Sequence, residues 1–296
     1  PSISNMFRLS SGTVDIDGGE LRIGNLSTTS FPDLYMTGGT IDVSGGTLNI
    51  SDALLSTSGT ITQTGGNINL GAYTGATNSS STAKLYKTVG TLNLTAGTLT
   101  VKAQYPSSSD HAIYIHGNAI VNANANHTTV LNPSGENMYM DLNGKTLGAM
   151  TINNSGSYSV FARDNFTLLG NLTINSGGKL ESMGNAGDIT LDGGSFINNG
   201  TFDLNSSDMI FTGGNNVTCG TITSAGAGNL VLTKTSSTNT VTTEGDLDLN
   251  MFTLNKGIFL IDGETVTADN TVYVQGGTLK ITSGLFHHNT PSTSQM

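Results

Sequence analysis

Apolar and polar residues alternate along this chain in runs of three to five, separated by breaks rich in glycine and asparagine. Val14 and Ile16 precede Leu21 and Ile23; Ile41 and Val43 precede Leu48 and Ile50; Leu92 and Leu94 precede Leu99 and Val101; Val272 and Val274 precede Leu279 and Ile281. A period of two puts each apolar set on one face of a short β-strand. Between the paired strands lie turns at Asp17-Gly18-Gly19, Ser44-Gly45-Gly46, Thr95-Ala96-Gly97 and Gln275-Gly276-Gly277. In TGGTIDVSGGTLNI, Thr37 to Ile50, the phrase recurs after seven residues, a spacing that also suits a coiled coil. Each unit carries one or two glycines, however, and each would cost about 1 kcal/mol in a helix interior, so the helix is excluded. A fifth copy, Ile61 to Leu70, has Gln63 where an inward apolar residue is expected, which predicts an edge or a kink there.

Two architectures fit a strand–turn–strand unit. In an antiparallel meander or sandwich, Val43 would pair with Leu48 and Ile41 with Ile50 across a two-residue glycine turn. In a parallel β-helix the same unit is two sides of one coil, and the next coil stacks about 4.8 Å above it. Three features favour the coil. Copies begin at Thr13, Thr40, Thr60 and Thr91, spacings of 27, 20 and 31, as expected for a coil near 20 residues with loops inserted at its corners. Tryptophan is absent and aromatics are 6%, which suits a narrow core of stacked Val, Ile and Leu better than a sandwich core. Asparagine is frequent near turns, where it tolerates left-handed backbone and can stack on its own kind from coil to coil. The expected fold is therefore all-β, a parallel β-helix, right-handed by analogy.

The pattern continues through Ile113 to Val121, Met150 to Ile152, Phe166 to Ile174, Ile189 to Leu191, Phe202 to Leu204, Val231 to Leu232 and Leu247 to Leu260. No stretch reads as a linker. Residues 1–285 are thus expected to form one continuous solenoid, with corner insertions near 74–82 and 104–110 and a polar tail over 286–296. At roughly 22 residues per coil this gives about 13 coils and a rod of roughly 60 Å. The prolines, at 1, 32, 106, 133 and 291, fall outside the repeats.

Composition narrows the function classes. Charged residues are 11%, and the net charge of −10 comes from scattered acids, so the basic patch a nucleic acid requires is missing. Cys219 is the only cysteine, which rules out an intrachain disulfide and a CxxC zinc pair and reads as a buried small side chain. No run approaches the ~18 apolar residues of a membrane helix, so membrane insertion is not expected. Because the chain starts at Pro1, a mature or excised product is expected.

The phrases TGGTIDVSGGTLNI, FTLLGNLTINSGGKL and DLNGKTLGAMTINNSG resemble the β-solenoid segments of large secreted bacterial surface proteins, including adhesins and autotransporter passengers. The resemblance implies an extracellular or cell-surface location and a structural or adhesive role, often within a longer polypeptide. It carries no catalytic residues to transfer.

The search for chemistry finds only weak candidates, and no catalytic, cofactor-binding or metal site is expected. Polysaccharide lyases of β-helix architecture use clustered acids and a basic residue; Arg163 beside Asp164 is the best such pair, although an exposed ion pair explains it as well. Asp15 and Asp42 occupy matching outward positions and can stack into an acidic row, which in a −10 protein is mostly solubilising. The pairs Asp15/Asp17 and Asp246/Asp248 match no EF-hand or calcium-roll pattern. His111 and His116 flank Ile113 and Ile115, and His287 and His288 lie near the tail, without Cys or acids at ligand spacing. Sequons at Asn25, Asn49, Asn93, Asn126, Asn165, Asn171 and Asn216 follow from an Asn/Ser/Thr-rich composition. An ice-binding threonine array is disfavoured, because outward positions hold Asp15, Arg22, Asp42, Asn49, Thr62, Asn69, Asn93, Thr100, Tyr273 and Lys280.

Neither end of the chain offers a clear cap for the open edge of a solenoid: Ile3, Met6 and Phe7 are too few for a capping helix, and Leu285-Phe286 leads into polar residues. The expected partners are other copies end to end or neighbouring repeats of a longer chain, with surface polysaccharide as a further one. The expectation is an extracellular structural or adhesive solenoid without a catalytic centre. The alternative is a carbohydrate-binding or carbohydrate-processing β-helix, lyase-like or phage-tail-spike-like.

Overall fold

In the computed structural model the two strands of each glycine-turn unit do not pair with each other. Thr40–Val43 pairs in parallel with Thr13–Ile16 and Thr60–Gln63, whereas Thr47–Ile50 pairs with Glu20–Ile23 and Asn67–Leu70. That pairing excludes the hairpin and makes the chain a parallel β-helix. The structure describes residues 2–3, 6–24, 33–71, 84–103, 111–133, 137–153, 156–183, 187–223 and 228–289. The expected insertions near 74–82 and 104–110 lie outside them.

A coil carries three strands, as in Leu34–Met36, Thr40–Val43 and Thr47–Ile50, here called faces one, two and three. Face one stacks into a 9-stranded parallel sheet from Phe7–Leu9 to Thr201–Asp203. Face two starts as a 5-stranded sheet, and face three belongs to a 20-stranded sheet. Toward the C-terminus the faces merge, because Leu247–Lys256 and Ile258–Val274 run on around corners as continuous strands. The repeat alignment read from sequence is the stacking register: Thr13, Thr40, Thr60 and Thr91 lie one above another.

Glycine sets the corner between faces two and three. Gly46 has φ +61°, and a Cβ there would lie 2.5 Å from the carbonyl oxygen of Gly19 in the coil beneath. Both the left-handed backbone and the close approach therefore demand glycine. Outside the corners, asparagines form ladders as expected: Asn69 Nδ2 donates to Asn49 Oδ1 at 2.8 Å, and Asn122 Nδ2 to Asn93 Oδ1 at 2.8 Å. Each bridges coils and satisfies an outward amide.

The core differs from expectation in two respects. Phe166, Phe196, Phe202, Phe211, Phe252 and Phe259 are all buried, so the C-terminal half is filled by phenylalanine as well as by aliphatic residues. Low aromatic content limits how many rings a core can have, not where they go. Secondly, Gln63 sits at neither an edge nor a kink. It is fully buried in a paired strand, where Nε2 donates to Thr98 O at 2.9 Å and Gly66 O at 3.2 Å and Oε1 lies 3.0 Å from His127 Nε2. Lys87 is buried too, its Nζ donating to Ser56 Oγ and Gly59 O, both at 2.8 Å.

The final strand, Thr278–His288, extends past the expected boundary at 285, since Phe286, His287 and His288 pair with Val266, Thr267 and Ala268. Pro133 likewise closes the strand His127–Pro133 rather than lying outside it.

Candidate functional site

Face one presents a column of side chains to solvent that the register brings together from far apart in sequence. Arg8, Tyr35, Leu55, Tyr86, Tyr114 and Asp141 occupy successive outward positions. A register shift lies between His111 and Ile113, and Tyr139, two residues before Asp141 on the same strand, begins a second outward column that continues through Phe161, Glu181 and Asp203. Each of these strands is pinned by inward neighbours, such as Ile113 and Ile115 around Tyr114 and Met138 and Met140 around Tyr139, which forces the tyrosine outward.

Two pairs of rings stack along the rod axis. Tyr86 and Tyr114 have centroids 4.8 Å apart with planes at 13°, and Tyr139 and Phe161 are 5.2 Å apart at 18°. The Arg163 guanidinium lies 4.1 Å from the Tyr139 ring centroid, and the Arg8 guanidinium 5.7 Å from that of Tyr35. His116 tilts against Tyr114 at 6.4 Å.

Asp141, on the strand of Tyr139 and in register with Tyr114, has its carboxyl group hydrogen-bonded to that of Asp164. Asn143, in left-handed backbone at φ 49°, holds them: its Nδ2 donates to Asp141 Oδ1 at 3.0 Å and Ile115 O at 2.8 Å, and its backbone N–H to Asp164 Oδ2 at 3.3 Å. Burial, the hydrogen bond to Asp164 and its charge push the Asp141 carboxyl up to about 7, with Arg163 opposing. Burial raises the Tyr114 hydroxyl, helped by Tyr86, Asp141 and Asp164.

Carboxyl groups in mutual hydrogen-bond contact are closer than the ~5–5.5 Å or ~6.5–9.5 Å between the two carboxyl groups of a glycosidase, so this pair does not fit that mechanism. The rings of each pair stack face to face along the rod, so they stabilise the sheet and turn their edges to solvent. Comparison with protein-family models, curated proteins and solved structures gives no match in any of the three.

Of the residues singled out in sequence, Arg163 and Asp164 do belong to this cluster, Arg163 over Tyr139 and Asp164 on Asp141 and Asn143. Asp15 and Asp42 stack in register, but the row then passes to Thr62. Asp246 and Asp248 line an open depression of about 260 Å³ with Thr223, Thr265 and Thr267, and Asp246 Oδ1 accepts the Thr265 N–H at 2.7 Å. Burial, then Asp269, raises the Asp248 carboxyl. Among the described residues no group of three His, Cys, Asp or Glu is placed to hold a metal. Cys219 is buried, and burial pushes its thiol up, the direction of an inert side chain. His116 accepts the Asn118 N–H at its Nδ1, and His288 Nε2 lies 2.7 Å from Asn270 O. The His111 side chain and Asn25 lie outside the described residues. Thr146, Thr167 and Thr190 align on face two, but Ile210 and Val231 follow, so that threonine row is short.

The aromatic column itself escaped the sequence reading. Its signal is the triplets LYM, LYK, IYI and MYM around Tyr35, Tyr86, Tyr114 and Tyr139, which place a ring between two inward residues in four coils, with Leu55 in the coil between the first two.

Proposed function

We propose that this chain is an extracellular structural or adhesive element, a stack of coils whose last described coil is completed by another copy end to end or by further repeats of a longer chain. The observation that carries the reading is a change of exposure along single ladders. Leu254 and Ile261 are fully buried, yet Val274 and Ile281, one coil later in the same register, are 50% and 48% exposed. Among the described residues nothing pairs beyond these last strands, and an edge with half-exposed apolar residues is a template for another parallel strand layer. Few charges and a core distributed over stacked coils suit such a rod outside the cell.

Negative-stain electron microscopy over a range of concentrations tests the joining of copies. Fibres that shorten on Ile281→Asp support it. Isolated rods at every concentration, unaffected by that substitution, would discard it.

A further inference from the structure

We propose that Lys84 and Asp52 join in an intramolecular amide bond between successive coils, with the Asp33 carboxyl carrying protons for the reaction. The inference goes beyond the reading above and does not depend on how the ends of the stack are completed.

The three residues meet at one corner of the coil, just ahead of face one. Leu34, Leu54 and Leu85 are stacked in register, and the bonds Leu34 N–H to Ala53 O at 3.2 Å and Leu54 N–H to Lys84 O at 2.8 Å carry that stacking one residue further back. Asp52, next to Ala53, donates its backbone N–H to Asp33 Oδ2 at 2.6 Å, and its own Oδ1 accepts from Lys84 Nζ. Gly24 leaves room for the Asp33 carboxyl, since a Cβ there would lie 2.6 Å from Oδ1. An amine, a carboxyl group for it to attack and a second carboxyl group thus come together from three successive coils. By contrast, Lys87, Lys145, Lys234 and Lys256 donate to peptide or hydroxyl oxygens.

Burial favours the condensed product. The Lys84 and Asp52 side chains are only 19% and 7% exposed, and Ser51 and Ala53 on either side of Asp52 are buried. Two charges held there carry a desolvation cost that a neutral amide does not. Groups fixed in contact also react as though at effective concentrations of about 10⁵–10⁸ M, which offsets the reluctance of amines and acids to condense in water. In the step itself the Lys84 nitrogen gives up two protons and bonds to Asp52 Cγ; one Cγ–oxygen bond breaks, and that oxygen leaves with the two protons as water. Asp33 takes a proton from the nitrogen and passes it to the departing oxygen, so it ends as it began. Burial pushes the Asp33 carboxyl up to about 6, against the opposing bond from the Asp52 N–H, so it can both hold and release a proton near neutral pH. The competing explanation is an ordinary ion pair.

Mass spectrometry of the intact, denatured full chain decides between them. An ion pair leaves the mass of the sequence unchanged, whereas the amide lowers it by one water molecule. Trypsin should then fail to cut after Lys84 and should release a branched peptide that joins this residue to the segment around Asp52. Lys84→Arg, which keeps the cation, and Asp52→Ala are both expected to restore the full mass. Asp33→Asn leaves both reacting groups in place and is expected to slow cross-linking about a hundredfold or more, followed by mass against time after synthesis. The proposal is overturned if the parent chain has its full mass, or if the water is lost elsewhere, as at the Asp-Gly steps Asp192-Gly193 or Asp262-Gly263. Cross-linking in Asp33→Asn at the parent's rate would overturn the role given to Asp33. Where a variant does not fold, the presence or absence of the branched peptide in the parent still decides.

Discussion

Phe259 and Leu279 hold the same inward position on one ladder, as do Ile261 and Ile281, a single coil apart. The first member of each pair is fully buried; the second is half-buried or exposed. Alternation along the strand is the same in both coils, so what differs is the layer above. In this fold a residue acquires its burial from the neighbouring coil, and stability is a sum over coil-to-coil interfaces. The sharpest way to break the comparison is to put the same charge in both places. Leu48→Asp buries an unpaired carboxylate between two coils and is expected to cost several kcal/mol or to abolish folding. Leu279→Asp, with one side open, is expected to cost little. Thermal melts followed by circular dichroism decide between them, and equal losses would mean that the last coil is covered in solution.

Smaller truncations sharpen the same contrast. Ile261→Ala opens a cavity between coils and is expected to cost about 2–4 kcal/mol, against under about 1 kcal/mol for Ile281→Ala, by denaturant titration. The corner glycines give a third, finer comparison at the opposite end. Gly19 and Gly46 both have left-handed backbone, φ +69° and +61°, but a Cβ on Gly19 meets nothing within 4 Å, while one on Gly46 strikes the coil beneath. Gly19→Ala should therefore lose only the left-handed penalty of about 1–2 kcal/mol, and Gly46→Ala measurably more. Similar losses in the two variants would show that stacking distance does not constrain this corner.

The first of these levels was legible in the sequence and the second was not. Alternation at Ile41, Val43, Leu48 and Ile50, with glycines fixed between them, identified strands and corners, because those depend on neighbours within one coil, and the recurrence of the same unit in the next coil aligned the stacking register. Gln63 defeated the same logic: its partners, Thr98 and His127, are 35 and 64 residues away, and only the coil geometry brings them within hydrogen-bond distance. The candidate site divides in the same way. Arg163 and Asp164 were visible as adjacent charges, whereas the Asp141 carboxyl and the rings beneath Arg163 come from earlier coils.

The buried partner of Gln63 adds a pH dependence to the inner coils. His127 is fully buried; Nε2 meets Gln63, while Nδ1 and the neighbouring Thr129 Oγ1 have no hydrogen-bond partner among the described residues. Burial holds the imidazole down to about 4, below its ordinary 6.5. The unfolded chain therefore binds a proton between pH 6.5 and 4 that the folded chain does not, and stability falls as pH falls through that window. Asp33 and Asp141, raised to about 6 and about 7, work in the opposite direction, since the folded chain holds their protons longer. The net slope mixes these contributions, but a difference between variants isolates one of them. His127→Leu should shift stability at pH 7.5 by its own packing cost and then lose roughly 2–2.5 kcal/mol less than the parent on going to pH 4.5. Parallel pH profiles for the two proteins would mean that His127 is protonated inside the stack or is reached by water, and that inner coils open more readily than their burial implies.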